Sequence, residues 1–400
     1  MSIERSYDFV IIGAGIIGLT IAKNLKEKYP KSKIAIIEKE REIGFHSSGR
    51  NSGVLHAGFY YTSDSLKAKF TKEGCLYWQK YCEENDLQIN KCGKVVVCKS
   101  EKDIESLLEL KKRGDKNNVP LKVIDEKELK DYEPNAKTYE KALWSPLTAT
   151  VNPMEILTHL KESLEKSGID FFFNTPYENK IDENSIKAGE YIFNFKKLIN
   201  AAGLYADKIA KDFGFSEDYV IIPFKGIYLE YTGNDKPVKT NIYPVPNIKN
   251  PFLGVHYTIK VDGTIKIGPT AIPAFWRENY KGLERFKLNE FLQIITWEAI
   301  LFITNSFEFR SLALEEMKKY NKIYLIEQAV NMVKNIDKSK FNKWGKPGIR
   351  AQLLNIRTKE LVQDFVVEGN KTSIHILNAV SPAFTASYPF TKWVVENYIN

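Results

Sequence analysis

Between residues 8 and 38 the chain carries the parts of a phosphate cradle. "DFVII", residues 8–12, is short, apolar and partly β-branched, which suits a buried parallel strand, and "GAGIIG" follows at once. Gly13 allows the tight turn out of the strand. Gly15, with Ile16 after it, lets a pyrophosphate approach the backbone, and Gly18 lets a helix from Ile17 to about Lys28 lie against the sheet. The free N–H groups at that helix start attract an anion. A second strand, "KIAIIEK", ends at Glu38, twenty residues past Gly18, where a carboxylate can accept both hydroxyls of an adenosine ribose. Glu38 and its neighbour Lys39 are therefore assigned to the nucleotide. The acid disfavours a ribose 2′-phosphate and leaves FAD and NAD as alternatives.

A second stretch, "HSSGRNSGVLHAGFYY", His46 to Tyr61, has two histidines, an arginine, two tyrosines and hardly an aliphatic residue. It would make a poor core strand. Two distant segments also read as returns to a nucleotide. "KKLINAAGLYADKIA", residues 196–210, is a strand, an Ala-Ala-Gly turn and a helix start, in which Ala202 and Gly203 leave backbone free to approach a cofactor. "IHILNAVSPAFTASYPFTKWVVENY", residues 374–398, is another strand, a turn of small residues and a helix whose first turn can aim N–H groups at the electron-rich edge of a flavin. Ser381, Ala383, Phe384 and Thr385 lie in that turn. A nicotinamide enzyme would continue with alternating strands and helices, so the returns favour FAD.

Composition bounds what surrounds these segments. With 400 residues, 43% of them hydrophobic, the chain buries a large core and is expected to form two lobes. Its 58 basic and 50 acidic side chains give a net charge of +8, but the lysines are scattered, which suits small anions better than a nucleic-acid surface. Cys75, Cys82, Cys92 and Cys98 have neither zinc-site spacing nor the density of a disulfide framework, so no metal is expected and a reducing cytoplasm fits. The apolar run Phe9 to Ala22 is broken by glycines and is shorter than the ~20 residues of a membrane span. Peripheral membrane contact, on the inner face, stays open.

The blocks "SSGRNSGVLHAGFYY", "SLKAKFTKEG", "KCGKVVV", "PFKGIYLEY", "FLGVHYT", "DGTIKIGPTAIPAFWRENY", "KPGIRAQL" and "LNAVSPAFTAS" resemble the L-2-hydroxyglutarate dehydrogenase/oxidase family, a branch of the D-amino-acid-oxidase-like flavoproteins, from first strand to last helix and in family order. The resemblance implies that Ser47, Ser48, Arg50, Asn51, Ser52 and Gly53 line the flavin. It implies that Val54 to Tyr61 lie near the reactive face, and that Arg350 sits beside the substrate carboxylate with Gln352 close by. Phe384 departs from the family pattern, standing where a small residue is expected.

The implied reaction is FAD-dependent oxidation of L-2-hydroxyglutarate to 2-oxoglutarate, with oxygen or a quinone as electron acceptor. Other 2-hydroxy acids or amino acids are alternative substrates, and a flavin-binding protein without turnover is an alternative of another class. Moving the C2 hydrogen as hydride requires a base for the hydroxyl proton, and histidine is the default. Of five histidines, His159 in an amphipathic helix and His375 in an apolar strand read as structural, and His46 as loop support. With the resemblance, His256 is the first choice and His56 the second. A dicarboxylate needs cationic partners once it leaves water. Arg350 offers a bidentate fork to the carboxylate beside C2. Arg277, Lys225, Tyr60, Tyr61 and Tyr257 are candidates for the remaining contacts.

The expected architecture is α/β: a discontinuous Rossmann-like FAD-binding domain from residues 1–90, 147–215 and 346–400, with a second, antiparallel-sheet substrate domain from 91–146 and 216–345. Helices are expected at 288–304 and 310–336. The apolar "LNEFLQIITWEAILFITNSFEF" is expected mainly as buried packing, with a surface for a partner or membrane quinone as the alternative.

Overall fold

A computed structural model describes residues 2–246 and 254–399. Phe252 and Leu253 of the "FLGVHYT" block lie outside them.

The strand Ile3–Ile12, apolar over its last four residues, sits between Tyr191–Asn200 and Ile34–Ile37, parallel to both, and Ser373–Ile376 pairs in parallel on the far side of Tyr191–Asn200. Ile12 is level with Ile37 and Asn200, and Asn200 with His375, so four carboxyl ends reach one edge of the sheet together. This is where doubly wound folds bind ligands. Helices Ile16–Lys28, Pro153–Lys166 and Ala383–Tyr398 cover the sheet and share one apolar core with it.

The second lobe is built on an eight-stranded sheet in the order Phe341–Trp344, Leu229–Tyr231, Ile265–Gly268, His256–Ile259, Asn241–Pro244, Lys94–Val97, Lys141–Ser145 and Lys122–Asp125. It is antiparallel except at one place. Asn241–Pro244 runs parallel to Lys94–Val97, because residues far apart in the chain meet there without a hairpin. Strand alternation sorts its side chains: Val95, Val97, Ile242, Tyr257, Ile265 and Ile267 enter the lobe's own core. Val96 and Tyr243 point the other way, with Ala57, Phe59 and Tyr60 of the first lobe.

Strands Tyr219–Gly226 and Gly348–Asn355, expected on opposite sides of a domain boundary, are register partners, with Phe224 opposite Arg350. The sheet they form spans the expected division.

Two expectations need correction. The region 310–336 is not one helix but two, Phe309–Lys318 and Lys322–Val330; the side chain of Asn321 accepts from the N–H groups of Ile323 and Tyr324 and starts the second. In the helix Leu288–Thr304 only Glu290, Ile294, Glu298 and Leu301 are buried, one narrow face at helical spacing. Leu292 is 54% and Ile303 76% exposed, so the segment is not mainly core.

Candidate active site

One cavity of about 1090 Å³ begins at the four carboxyl ends and runs between the lobes. At its start the backbone of Gly13 and Gly15 forms the wall. Gly13 holds φ +106°, and a Cβ there would lie 2.6 Å from the Ala201 carbonyl oxygen. Gly18 does not line the cavity; a side chain on it would collide with the Gly13 carbonyl, so its smallness serves packing of the helix on the turn. No side chain caps the helix at Gly15, although the Ile16 N–H donates to Ser48 Oγ at 3.0 Å. The Glu38 carboxylate accepts from the N–H groups of Ala14, 2.9 Å, and Glu40, 3.0 Å, which hold it at the cavity wall. A bare backbone turn, a helix start and a fixed acid at the end of the second strand fit the pyrophosphate and ribose of a dinucleotide.

The stretch 46–61 forms the next part of the wall. Ser47, Ser48, Arg50, Asn51 and Ser52 line the cavity. Ser47 Oγ donates to the Ile349 carbonyl at 2.7 Å, tying the loop to the strand that carries Arg350. The Arg50 guanidinium is committed to the carbonyls of Phe45, 2.6 Å, and Pro347, 3.1 Å. Gly53 lies off the cavity, turned at φ +77° against the Val151 carbonyl. The Lys39 ammonium is held by Glu40 and Glu278, at 2.6 Å each.

Both distant returns reach the same space. Ala202 and Gly203 line it, as do Ser381, Ala383, Phe384 and Thr385. Thr385 Oγ1 accepts from the His56 N–H at 3.2 Å and donates to the Val54 carbonyl at 3.3 Å, fastening the last helix to the loop. Phe384 turns its ring toward the core, 6.0 Å from that of Trp78.

Beyond the loop, His56, Tyr60, Tyr61, His256, Arg350 and Gln352 converge on one chamber. The His256 ring stacks on Tyr243 with centroids 3.6 Å apart and planes 17° apart. Its Nδ1 lies 2.9 Å from the Gly254 carbonyl. A carbonyl only accepts, so Nδ1 carries the proton and Nε2 keeps its lone pair. Burial holds the His256 pKa well below its usual value, and the charges of Lys94 and Arg350, with His56, act in the same direction. His56 is lowered likewise, by burial and then by Lys94. Gln352 spends its amide N–H on the Val362 carbonyl at 2.8 Å.

Three candidates fall away. Arg277 does not line the cavity; it is fully buried, and Asp207 holds both ends of its fork, at 2.6 and 2.8 Å. Tyr257 faces the opposite side of its strand from His256, into the second lobe's core. Lys225 is also off the wall, its ammonium 5.9 Å from the Tyr320 ring. The other histidines have structural partners: His46 with Tyr280 and Glu40, His159 with Tyr81, His375 with Asn200 and Ser373. Sequence reasoning missed Lys94, Tyr228 and Tyr243. The available signal was a lysine heading the otherwise apolar strand "KVVV".

A dinucleotide cradle that opens into a chamber walled by neutral histidines and an arginine defines a flavin-type oxidoreductase. The family model for FAD dependent oxidoreductases matches residues 8–308, and the chain belongs to that family. It is 35% identical to the mitochondrial L-2-hydroxyglutarate dehydrogenase of Caenorhabditis briggsae, over 98% of this chain and 93% of that one. It is 32% identical to the L-2-hydroxyglutarate dehydrogenase of Escherichia coli strain K12, over 98% and 92%. Among solved structures, the FAD-bound, dithionite-reduced L-alpha-glycerophosphate oxidase of Mycoplasma pneumoniae superposes with a TM-score of 0.78 at 20% identity, covering 98% of this chain and 94% of that one.

Proposed function

We propose that this chain is an FAD-dependent enzyme that oxidises L-2-hydroxyglutarate to 2-oxoglutarate. The observation that carries the reading is whole-length similarity to L-2-hydroxyglutarate dehydrogenases, joined to a chamber in which His256 and Arg350 face one space. Arg350 holds the carboxylate beside C2 and fixes which face of that carbon is presented. His256 Nε2, neutral through burial, takes the hydroxyl proton as the C2–O bond becomes double. Gly13, Gly15 and Glu38 would hold FAD, which would supply the acceptor for the C2 hydrogen and its electron pair. His56 borders the same space as second candidate for the base, and the aromatic wall of Tyr60, Tyr61, Tyr228 and Tyr243 keeps water from the reacting carbon.

The rival substrate class is an amino acid. Its ammonium would meet Arg350 and Lys94, while two acids of the cavity wall already hold protein donors: Glu316 the Ala271 N–H and Lys319, Asp364 the N–H groups of Leu66 and Lys67. A hydroxy diacid suits this field better. Peripheral membrane contact through the exposed Leu288, Leu292, Ile303, Leu314 and Ile323 is consistent with a quinone acceptor; no helix among the described residues is long and apolar enough to cross a membrane.

The test is anaerobic mixing of the FAD-loaded protein with L-2-hydroxyglutarate, other 2-hydroxy acids and amino acids. Bleaching of the flavin absorption by L-2-hydroxyglutarate is expected, and its absence ends the reading. Reoxidation by oxygen or by a quinone then identifies the acceptor.

A further inference from the structure

Four buried polar atoms around the chamber have no hydrogen-bond partner among the described residues: Nδ1 of His56, the hydroxyls of Tyr60 and Tyr243, and Nζ of Lys94. His56, Tyr60 and Tyr243 belong to the cavity wall. Lys94 stands against them, its ammonium 4.2 Å from the centre of the Tyr243 ring and 5.1 Å from that of Tyr60. One face of Tyr243 is covered by His256, so the ammonium takes the other. Alternation along the strand explains the placement. Val95 and Val97 enter the lobe's core, which turns Lys94 and Val96 to the face that carries Phe59, Tyr60 and Tyr243, so Lys94 stands directly behind the tyrosines of the cavity wall.

Among the described residues no carboxylate answers this charge. The groups that favour keeping it are the thiols of Cys75 and Cys92, and burial pushes the Cys75 thiol up to about 12, so it is no anion at neutral pH. Burial pulls the Lys94 ammonium down to about 7. Three of the other buried lysines have acids beside them: Lys319 is paired with Glu316, Lys266 has the nearby charges of Glu230 and Asp262, and Lys67 has Asp364; Lys225, off the cavity, stands beside the Tyr320 ring. A buried cation with no counter-ion weakens a fold, and such a group persists where a ligand supplies the missing charge. Arg350 and His256 line the same chamber, and the Lys94 ammonium lies across the Tyr243 ring from His256.

We propose that Lys94, with the hydroxyls of Tyr60 and Tyr243, seats the second carboxylate of the substrate and thereby makes the enzyme select a diacid over a monoacid. This assignment rests on the L-2-hydroxyglutarate reading and deepens it: Arg350 holds the carboxylate beside C2, and the Lys94 cluster holds the one at the far end.

The experiment compares the Lys94→Met holoenzyme with wild type on L-2-hydroxyglutarate and on L-2-hydroxyvalerate, which has the same chain length but lacks the second carboxylate. For the diacid, kcat/KM is expected to fall by about 100-fold or more, mainly through KM, while the monoacid value holds or rises. Glutarate, a non-reacting diacid, should perturb the bound flavin spectrum at much higher concentration in the variant. The substrate-free variant should melt at a higher temperature than wild type. Tyr243→Phe should show the same diacid-selective loss at about tenfold. Equal loss on both substrates, or no loss on either, overturns the proposal. Should Lys94→Met fail to retain FAD, the Tyr60→Phe and Tyr243→Phe pair decides it by the same comparison. Should wild type oxidise neither acid, the functional reading falls, and the glutarate titration still tests the seat.

Discussion

Two polar clusters border the same cavity and are built on opposite plans. In the first, Arg285 bridges Glu40 and Glu278, Lys39 reaches both acids at 2.6 Å, His46 meets Glu40 at 2.9 Å and Tyr205 donates to Glu278 at 2.6 Å. Every charge there has an answering charge. In the second, Lys94, Tyr60, Tyr243 and His56 leave four buried polar atoms without a hydrogen-bond partner among the described residues. A closed network joins the end of the first lobe's second strand to the segment around Glu278 and has little left to offer a ligand. The open one is complete only when an anion enters. Burial alone therefore does not mark a functional charge; the missing partner does.

The comparison can be broken most severely at the chemistry. His256→Ala is expected to lower kcat by about 100- to 10,000-fold while FAD content and glutarate binding stay near wild type. Rapid-mixing flavin reduction measures this, and loss of FAD in parallel would make His256 a scaffold residue.

At the closed end the expected effects are on stability. Arg277→Met leaves Asp207 buried without its partner and should cost about 3–5 kcal/mol in a denaturant titration, with KM for L-2-hydroxyglutarate unchanged. A raised KM with no loss of stability would return Arg277 to the substrate site.

Glu278 sharpens the same point through pH. Its folded pKa is lowered to about 2 from 4.5 despite burial, by Lys39, His46 and Tyr205. Its stabilisation is therefore full above pH 4.5 and is lost as pH falls toward about 2. Glu278→Gln should reduce the acid sensitivity of unfolding across that window by on the order of 2 kcal/mol. An unchanged acid slope would show that the network contributes nothing.

At the open end, pH acts on catalysis. His256 is kept neutral by burial and by the charges of Lys94 and Arg350, so the acid limb of kcat/KM should fall below pH ~6.5, the ordinary histidine value. Lys94→Met removes one of those charges and should move the limb upward, which pH profiles on the monoacid would detect. The smallest change is expected for Tyr257→Phe, within about 0.5 kcal/mol in stability and silent in kcat, because its hydroxyl has no hydrogen-bond partner among the described residues and lies on the far face of the strand.

The cradle was legible because its signals are local. A strand, a glycine turn, a helix and an acid follow one another within residues 8–38, and Gly13 and Gly18 each have a steric reason set by neighbouring backbone carbonyls. The stretch 46–61 was legible from its composition, which suited neither core nor plain surface. Arg277 and Lys94 were not. Each is one basic residue in an ordinary setting, and sequence alone gives no sign that Asp207 lies within 2.6 Å of the first while no acid among the described residues pairs with the second. His256 and Tyr257 were both advanced, yet adjacent strand residues face opposite ways, so only one could reach the chamber.

By itself, then, the order of residues determined that a dinucleotide would be held at the carboxyl ends of a parallel sheet, since strand, turn and helix propensities act between near neighbours. Only the tertiary structure decided which of the many basic side chains lost its partner. Pairing between charges depends on distances across hundreds of residues, and those distances exist only once the two lobes have closed on each other.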